Sequence, residues 1–316
     1  MTTLRTGVIG VGYLGQFHAE KYSRNPRAVL VGIVEPDQAR ASLVADKVKA
    51  RLFLTVEEII GEVDALSIVV PTVHHFRIAK QCLEQGIHLL VEKPITETLD
   101  QADELVQLAE RKGLVLQVGH IERFNPAVRA VKDLLRSPQY LQAERSAPFT
   151  IRCTDVNVVL DLMIHDLDIV CDLAGSEPVT VSAAGASIIT REIDVVTARI
   201  VFRNGCVADV SASRISDEKK RILRVFEEGT VYTADYQSQT ATVSRRKEGG
   251  AAELVAVPVP AERRDTLYDE IDAFLACVQE KKRPQVSGAE GRRALALARL
   301  ITDMIENRQT GFLPVP

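Results

Sequence analysis

Apolar positions over the first 119 residues follow two alternating rhythms. Short continuous runs at Thr6–Ile9, Ala28–Val34, Arg51–Leu54, Asp64–Val70, Ile87–Val91 and Leu114–Val118 predict buried strands. Between them, spacings of three and four predict helices over Tyr13–Ser23, Asp37–Val48, His75–Gln85 and Leu99–Arg111, the last closed by Gly113. Thr55 and Glu58 have capping-box spacing and open a further short helix. Strand and helix in strict alternation predict a parallel sheet covered on both faces, a doubly wound α/β domain over residues 1–120.

The rhythm changes after Gly119. Helices are expected near Asn125–Arg136 and Val159–Leu173. Longer strand patterns then follow one another at Val179–Ser187, Val195–Phe202, Val207–Ile215, Ile222–Phe226, Val231–Tyr236 and Thr240–Arg245. Turn signals such as Asn204-Gly205 and Glu228-Gly229 join several of them, so a largely antiparallel sheet is expected. Helices near Leu267–Glu280 and Ala289–Asn307 close the chain, the last opened by Ser287 and Glu290 at capping-box spacing. Residues 121–316 therefore read as a second, α+β domain; by fold-level analogy it is expected to bind substrate and carry the oligomer contacts.

Composition narrows the class. A chain of 316 residues with 46% hydrophobic and 26% charged residues is long enough for two cores. A formal net charge of −4 argues against nucleic acid as the main partner. Five scattered cysteines, Cys82, Cys153, Cys171, Cys206 and Cys277, form no metal-ligand pattern and fit a reducing compartment. No metal is expected. With no secretory pattern in the opening residues and no stretch apolar enough to span a bilayer, the cytoplasm is the expected location.

Gly10-Val11-Gly12-Tyr13-Leu14-Gly15 is a GxGxxG between a strand and a helix. Such glycines let the backbone turn and approach a pyrophosphate, while the helix start offers free N–H groups and a positive dipole end. Glu35 ends the second strand, twenty residues after Gly15, where an acid accepts hydrogen bonds from the ribose hydroxyls of NAD. No Arg follows it directly, Arg40 being the nearest downstream. NAD is the expected cofactor.

Ligands of open parallel sheets sit beyond the strands' carboxyl ends. Two such ends carry chemistry: Val70-Pro71-Thr72-Val73-His74-His75, and Val91-Glu92-Lys93-Pro94. The proline restrains Lys93 and allows a cis peptide, and a Lys partly desolvated there suits proton transfer. In the second domain Asp161 and His165 are four apart and share a helix face. Acid–base chemistry and a merely packed helix with incidental polar residues are about equally good readings of that pair taken alone. The basic run Lys219-Lys220-Arg221 with Arg224 reads either as a diphosphate contact or, more simply, as an exposed charged strand edge.

Taken together, GVGYLG, VVPTVHH, VEKP and DLMIHDLD resemble the family of glucose–fructose oxidoreductases, inositol dehydrogenases and rhizopine-catabolism oxidoreductases (Gfo/Idh/MocA), over essentially the whole chain. The resemblance implies a Rossmann domain followed by an open-sheet domain. It implies Lys93 and His165 as the proton-transfer pair, with Asp161 a substrate-binding partner in the catalytic set. Tyr13, Leu14, Pro71, Thr72, His75, Glu92 and Lys93 would join Gly10, Gly12, Gly15 and Glu35 around the cofactor. Gly119-His-Ile-Glu-Arg-Phe-Asn-Pro126 looks like the branch that oxidises the 3-hydroxyl of UDP-N-acetylglucosamine for lipid A precursors, to which a branch acting on the uronic acid form is close. On that resemblance Arg123 and Asn125 join Asp161 and His165 as substrate-binding residues. Leu162-Met163-Ile164 departs from the smaller residues of many relatives at that point.

The expected activity is therefore NAD-dependent oxidation of a secondary hydroxyl on a sugar or nucleotide sugar, by a homodimer or homotetramer. The alternatives are an inositol or free-sugar dehydrogenase, an oxidoreductase of a non-sugar carbonyl, and a sensor that binds dinucleotide without turnover. An intact Lys93 and His165 argue against the sensor.

Overall fold

A computed structural model describes residues 2–150, 156–247, 254–309, 311 and 313–315. Cys153 lies outside them. By internal contacts the chain divides into two units, Met1–Ile121 with Asp265–Arg292, and Glu122–Arg264 with Arg293–Pro316.

In the first unit, β1 (Leu4–Ile9), α1 (Gly15–Arg24), β2 (Ala28–Val34), α2 (Gln38–Val48), β3 (Arg51–Phe53), α3 (Val56–Ile60), β4 (Ala65–Ile68), α4 (His75–Glu84), β5 (His88–Glu92), α5 (Leu99–Lys112) and β6 (Leu116–Gly119) follow in turn. The sheet is parallel, in the order β3-β2-β1-β4-β5-β6. Its strand order reverses between β1 and β4, the switch point at which such sheets take dinucleotides. Local chemistry sets the helix ends. Asp37 caps α2, and Thr98 with Gln101 makes a full capping box on α5, which Gly113 stops at φ +64°.

The second unit holds α6 (Pro126–Leu134), β7 (Tyr140–Ser146), α7 (Ile164–Ala174), β8 (Pro178–Ala186), β9 (Val195–Phe202), β10 (Val207–Ser213), β11 (Lys220–Glu227), β12 (Thr230–Asp235), β13 (Thr240–Arg246) and β14 (Leu254–Val259). Helix α8 (Thr266–Glu280) returns to the first unit, α9 (Gly288–Glu306) begins there and ends in the second, and β15 (Leu313–Pro314) pairs with β8. The nine-stranded sheet runs β14-β13-β12-β11-β7-β10-β9-β8-β15, antiparallel except for β7 beside β10.

Several features depart from the sequence expectation. Strand β7 lies at the centre of the sheet although its inward residues are Leu141, Ala143 and Arg145, too few apolar positions to register as a strand pattern. β11 lies inside the sheet, so Lys220 and Arg224 stand on a face of it and not on an edge. And α8 packs Ile271, Phe274 and Leu275 into one core with Ala19 and Tyr22 of α1 and Leu90 of β5, so the first unit is not continuous in sequence.

Candidate active site

The glycine loop is shaped by what a side chain would strike. Gly10 has φ +84°, and a Cβ there would lie 2.5 Å from the Val69 carbonyl oxygen. A Cβ on Gly15 would come within 1.9 Å of the Gly10 oxygen, so the helix start meets the end of β1 only because Gly15 lacks one. Gly12 has no neighbour within 4 Å; its missing side chain leaves open space, not packing room. Helix α1, which follows, has no side-chain cap and no acid in its first turn, whereas α2, α5 and α8 are capped by Asp37, Thr98 and Asp265. Uncapped amides beside open space fit a dinucleotide's phosphates. Tyr13 stands 66% exposed at the loop tip, edge-on to Phe17, and Leu14 is the residue from which α1 starts.

Glu35 stands at the end of β2, almost buried. Its Oε2 accepts from Val11 N at 2.9 Å and its Oε1 from Asp37 N at 3.1 Å, which fixes the acid against the glycine loop. Arg40 Nη1 lies 3.5 Å from the same carboxylate and reaches Asp37 as well. The nearest downstream arginine therefore offsets part of the Glu35 charge.

Beyond β4, Pro71 leads into a single 3-10 turn, Thr72–His74, and Val73 is exposed. His75, fully buried, clasps two strand ends: Nδ1 is 2.9 Å from the Pro94 carbonyl oxygen and Nε2 is 2.8 Å from that of Val70. Burial lowers the His75 pKa, partly opposed by those carbonyls. The Lys93–Pro94 peptide is cis. Glu92 is caged: Oε1 lies 3.2 Å from His18 Nε2, Oε2 accepts from Lys93 N at 3.2 Å, and Gly119 leaves room that a Cβ, 2.7 Å from Oε1, would take. Lys93 itself is half-buried at the strand end. Gly10, Gly12, Glu35, Glu92 and Lys93 thus all stand at the carboxyl ends of β1, β2 and β5 or in the loops that follow them, and Gly15 opens the helix after β1.

In the second unit, Val159–Met163 forms a π-helical turn that runs straight into α7. Such turns recur at functional sites because the extra residue changes which side chains share a face. Asp161 in this turn and His165 in the first turn of α7 are both half-buried, whereas their neighbours Asp166 and Asp168 are fully buried. The bulky Leu162-Met163-Ile164 lies between the pair, with Met163 and Ile164 in the core.

The GHIERFNP stretch is largely buried, with Ile121 and Pro126 half-buried. Arg123 is 3% exposed; its Nε lies 3.0 Å from Asp168, and Nη1 contacts Asp172. Asn125 is 2% exposed, caps α6 through Ala127 N and donates to the Tyr236 carbonyl at 3.0 Å. Glu122 bridges Arg145 at 3.2 Å and Arg221 at 3.3 Å, and Arg145 also grips Asp166 at 2.6 Å. Burial works against the Arg145 charge, but Asp166 and Glu122 outweigh it and hold the guanidinium protonated. In the basic run, then, Arg221 is committed to this cluster, Arg224 donates to Gln142, and Lys220 has Glu144 and Glu218 each 3.8 Å away.

Sequence reasoning did not single out Arg145, Glu122 or His18. His18, three residues after the loop's last glycine, carried a usable signal: a polar residue on the inward face of α1.

Known proteins bear the architecture out. Residues 4–120 match the model of an oxidoreductase family with an NAD-binding Rossmann fold, and residues 153–315 match that family's C-terminal alpha/beta domain. The UDP-N-acetylglucosamine 3-dehydrogenase of Acidithiobacillus ferrooxidans is 39% identical over 313 residues, covering 97% of this chain and 98% of that protein. A solved structure of that enzyme superposes with a TM-score of 0.92 over 97% of this chain and 99% of its own. The myo-inositol 2-dehydrogenase of Thermotoga maritima is 25% identical, over 97% of this chain and 98% of its own. Among the described residues no helix is long and apolar enough to cross a membrane. The chain, an oxidoreductase, belongs to the Gfo/Idh/MocA family in both its NAD-binding Rossmann domain and its C-terminal α/β domain.

Proposed function

We propose that the protein is an NAD-dependent dehydrogenase of a nucleotide sugar, oxidising the 3-hydroxyl of UDP-N-acetylglucosamine. The observation that carries this reading is the 39% identity, end to end, with an enzyme of that name. The glycine loop would hold the diphosphate and Glu35 the adenosine ribose, with Pro71, Thr72 and His75 shaping the strand end beyond. When bound, NAD⁺ supplies the hydride acceptor. Lys93 and His165 take the proton of the reacting hydroxyl as its C–H bond gives up a hydride, leaving a ketone, NADH and one proton. Asp161, one helical turn before His165, holds a substrate hydroxyl or orients the imidazole. We assign Arg123 and Asn125 a positioning role in place of substrate contact, because burial and internal partners occupy both.

In this reading the 3-keto product is a substrate for amination on the way to a lipid A precursor, a role resting on the resemblance of GHIERFNP alone. Work in the cytoplasm and assembly as a homodimer or homotetramer rest on resemblance in the same way. Identity to inositol dehydrogenases supports a second reading, oxidation of a free polyol by the same residues. Competition separates the two. A nucleotide sugar draws most of its binding energy from the half remote from the reacting carbon. UDP alone should then inhibit turnover and raise the melting temperature of the NAD-bound protein, and free N-acetylglucosamine should be a far poorer substrate. Turnover of inositol with no effect of UDP would establish the second reading instead.

A further inference from the structure

Glu270, on α8 in the first unit, is fully buried, and neither of its carboxyl oxygens has a hydrogen-bond partner among the described residues. A carboxylate in such a place is far costlier than a neutral acid. The groups around it come from four elements. Helix α1 contributes Tyr22; β5 contributes Glu92; β6 contributes Gln117, whose Nε2 donates to the Glu270 main-chain oxygen at 3.2 Å. On α8 itself Asp272 turns to Arg27, while Asp265 at its cap turns to Lys21. Burial, then the negative charge of Glu92, pushes the Glu270 carboxyl well above the usual carboxylate range.

Glu92 is held from its other side. His18 links it to Ser67, whose Oγ lies 3.1 Å from His18 Nδ1 and 2.8 Å from the Tyr22 hydroxyl, and the main-chain N–H of Lys93 donates to it. Two carboxyl groups therefore interact at the strand end that carries Lys93, one well partnered and one not. We propose that Glu270 is kept as a neutral acid behind Glu92, so that the pair carries a single negative charge beside Lys93, and that Glu270 is thereby a positioning residue for proton transfer. This rests on the reading of Lys93 as a proton-transfer residue.

The arrangement is costly to the fold. The unfolded chain ionises Glu270 at its ordinary value of 4.5, while burial and the Glu92 charge raise that value in the folded protein. Stability from this group is therefore full below that pH and is lost as the pH climbs toward the raised folded value. A core that needed only volume would be served by a leucine or methionine; strongly perturbed buried acids cluster where chemistry is done. A second negative charge at this point would hold a Lys93 ammonium more firmly and make the side chain a poorer acceptor of the substrate proton.

Glu270→Gln keeps the shape and cannot ionise. In the full-length protein with NAD bound, the infrared difference spectrum of wild type minus this variant at neutral pH should contain the C=O stretch of a protonated carboxylic acid. Its absence overturns the proposal, whatever the substrate. Should the variant not fold, the same band sought in wild-type protein with carbon-13-labelled glutamate decides the matter. The second readout is the pH profile of sugar oxidation: wild type should show an alkaline inflection that the variant loses or moves by about one pH unit or more. Superimposable profiles overturn the positioning role. Turnover surviving in Lys93→Ala would remove the reading of Lys93 and, with it, that role, but would leave the infrared band in place, so the two failures are distinguishable.

Discussion

Lys93 owes its position to its neighbours: Glu92 accepts its main-chain N–H, and His75 ties Pro94 to the end of β4. Lys93→Ala and His165→Ala should each lower turnover by about 10²–10⁴-fold while NAD still binds. If both act on one proton, the double variant should lose less than the product of the two. Steady-state rates beside a direct NAD titration check this, and wild-type turnover in both single variants would refute the pair. Glu35 should make NAD bind at least about tenfold tighter than NADP, a difference of about 1.4 kcal/mol. Arg40, 3.5 Å from Glu35, makes Glu35→Ser the informative variant, since the freed arginine can meet a 2′-phosphate and the preference should narrow or reverse. An unchanged ratio of dissociation constants would remove Glu35 from the cofactor site. Residues such as Glu35 and Lys93 were legible because a motif or a strand end fixes their place by counting. Arg145, Glu122 and Glu270 were not, because the partners that give them meaning arrive from sequence positions 21 to 178 residues away. Arg123 and Asn125 were legible as a stretch but not as buried groups, since a surface polar motif and a core one look alike without their partners.

At the level of elements, the period of the apolar positions, with the capping-box spacing of Thr55 and Glu58 for α3, was enough to place every strand and α-helix of the Rossmann unit up to β6. It failed at β7, where a buried arginine takes one of the three inward positions, and at β14, where every residue whose burial is described is exposed or half-exposed and Pro258 suits an edge. The π-helical turn at Val159–Met163 was invisible for another reason: its spacing matches a helix until the hydrogen bonds are seen. The glycine loop offers a test in which two similar changes should part company. Gly15→Ala places a methyl 1.9 Å from the Gly10 oxygen and should destabilise the fold by about 3 kcal/mol or more. Gly12→Ala meets nothing within 4 Å, so it should melt close to wild type yet bind NAD far more weakly, as the methyl enters the space left for the diphosphate. Thermal melts with and without NAD separate the two; normal NAD affinity in Gly12→Ala would contradict the assignment of that space.

For the molecule as a whole, order along the sequence suggested two consecutive domains, whereas the N-terminal unit recruits α8 from near the end of the chain. The recruitment is physical: Phe274 and Ile271 complete a core that α1 and β5 leave open, and the same helix brings Glu270 to the strand end of Glu92. Nothing in the local pattern of α8 tells which sheet it covers, since an amphipathic helix reads the same against either. The proposed hydride transfer from carbon 3 of a UDP-sugar to NAD⁺ can be followed with UDP-N-acetylglucosamine deuterated at that carbon. NAD⁺ should be reduced in step with loss of the label, the deuterium should appear on the nicotinamide, and the sugar should gain a ketone. Retention of deuterium on the sugar, while inositol or a free sugar reduces NAD⁺ instead, would contradict it.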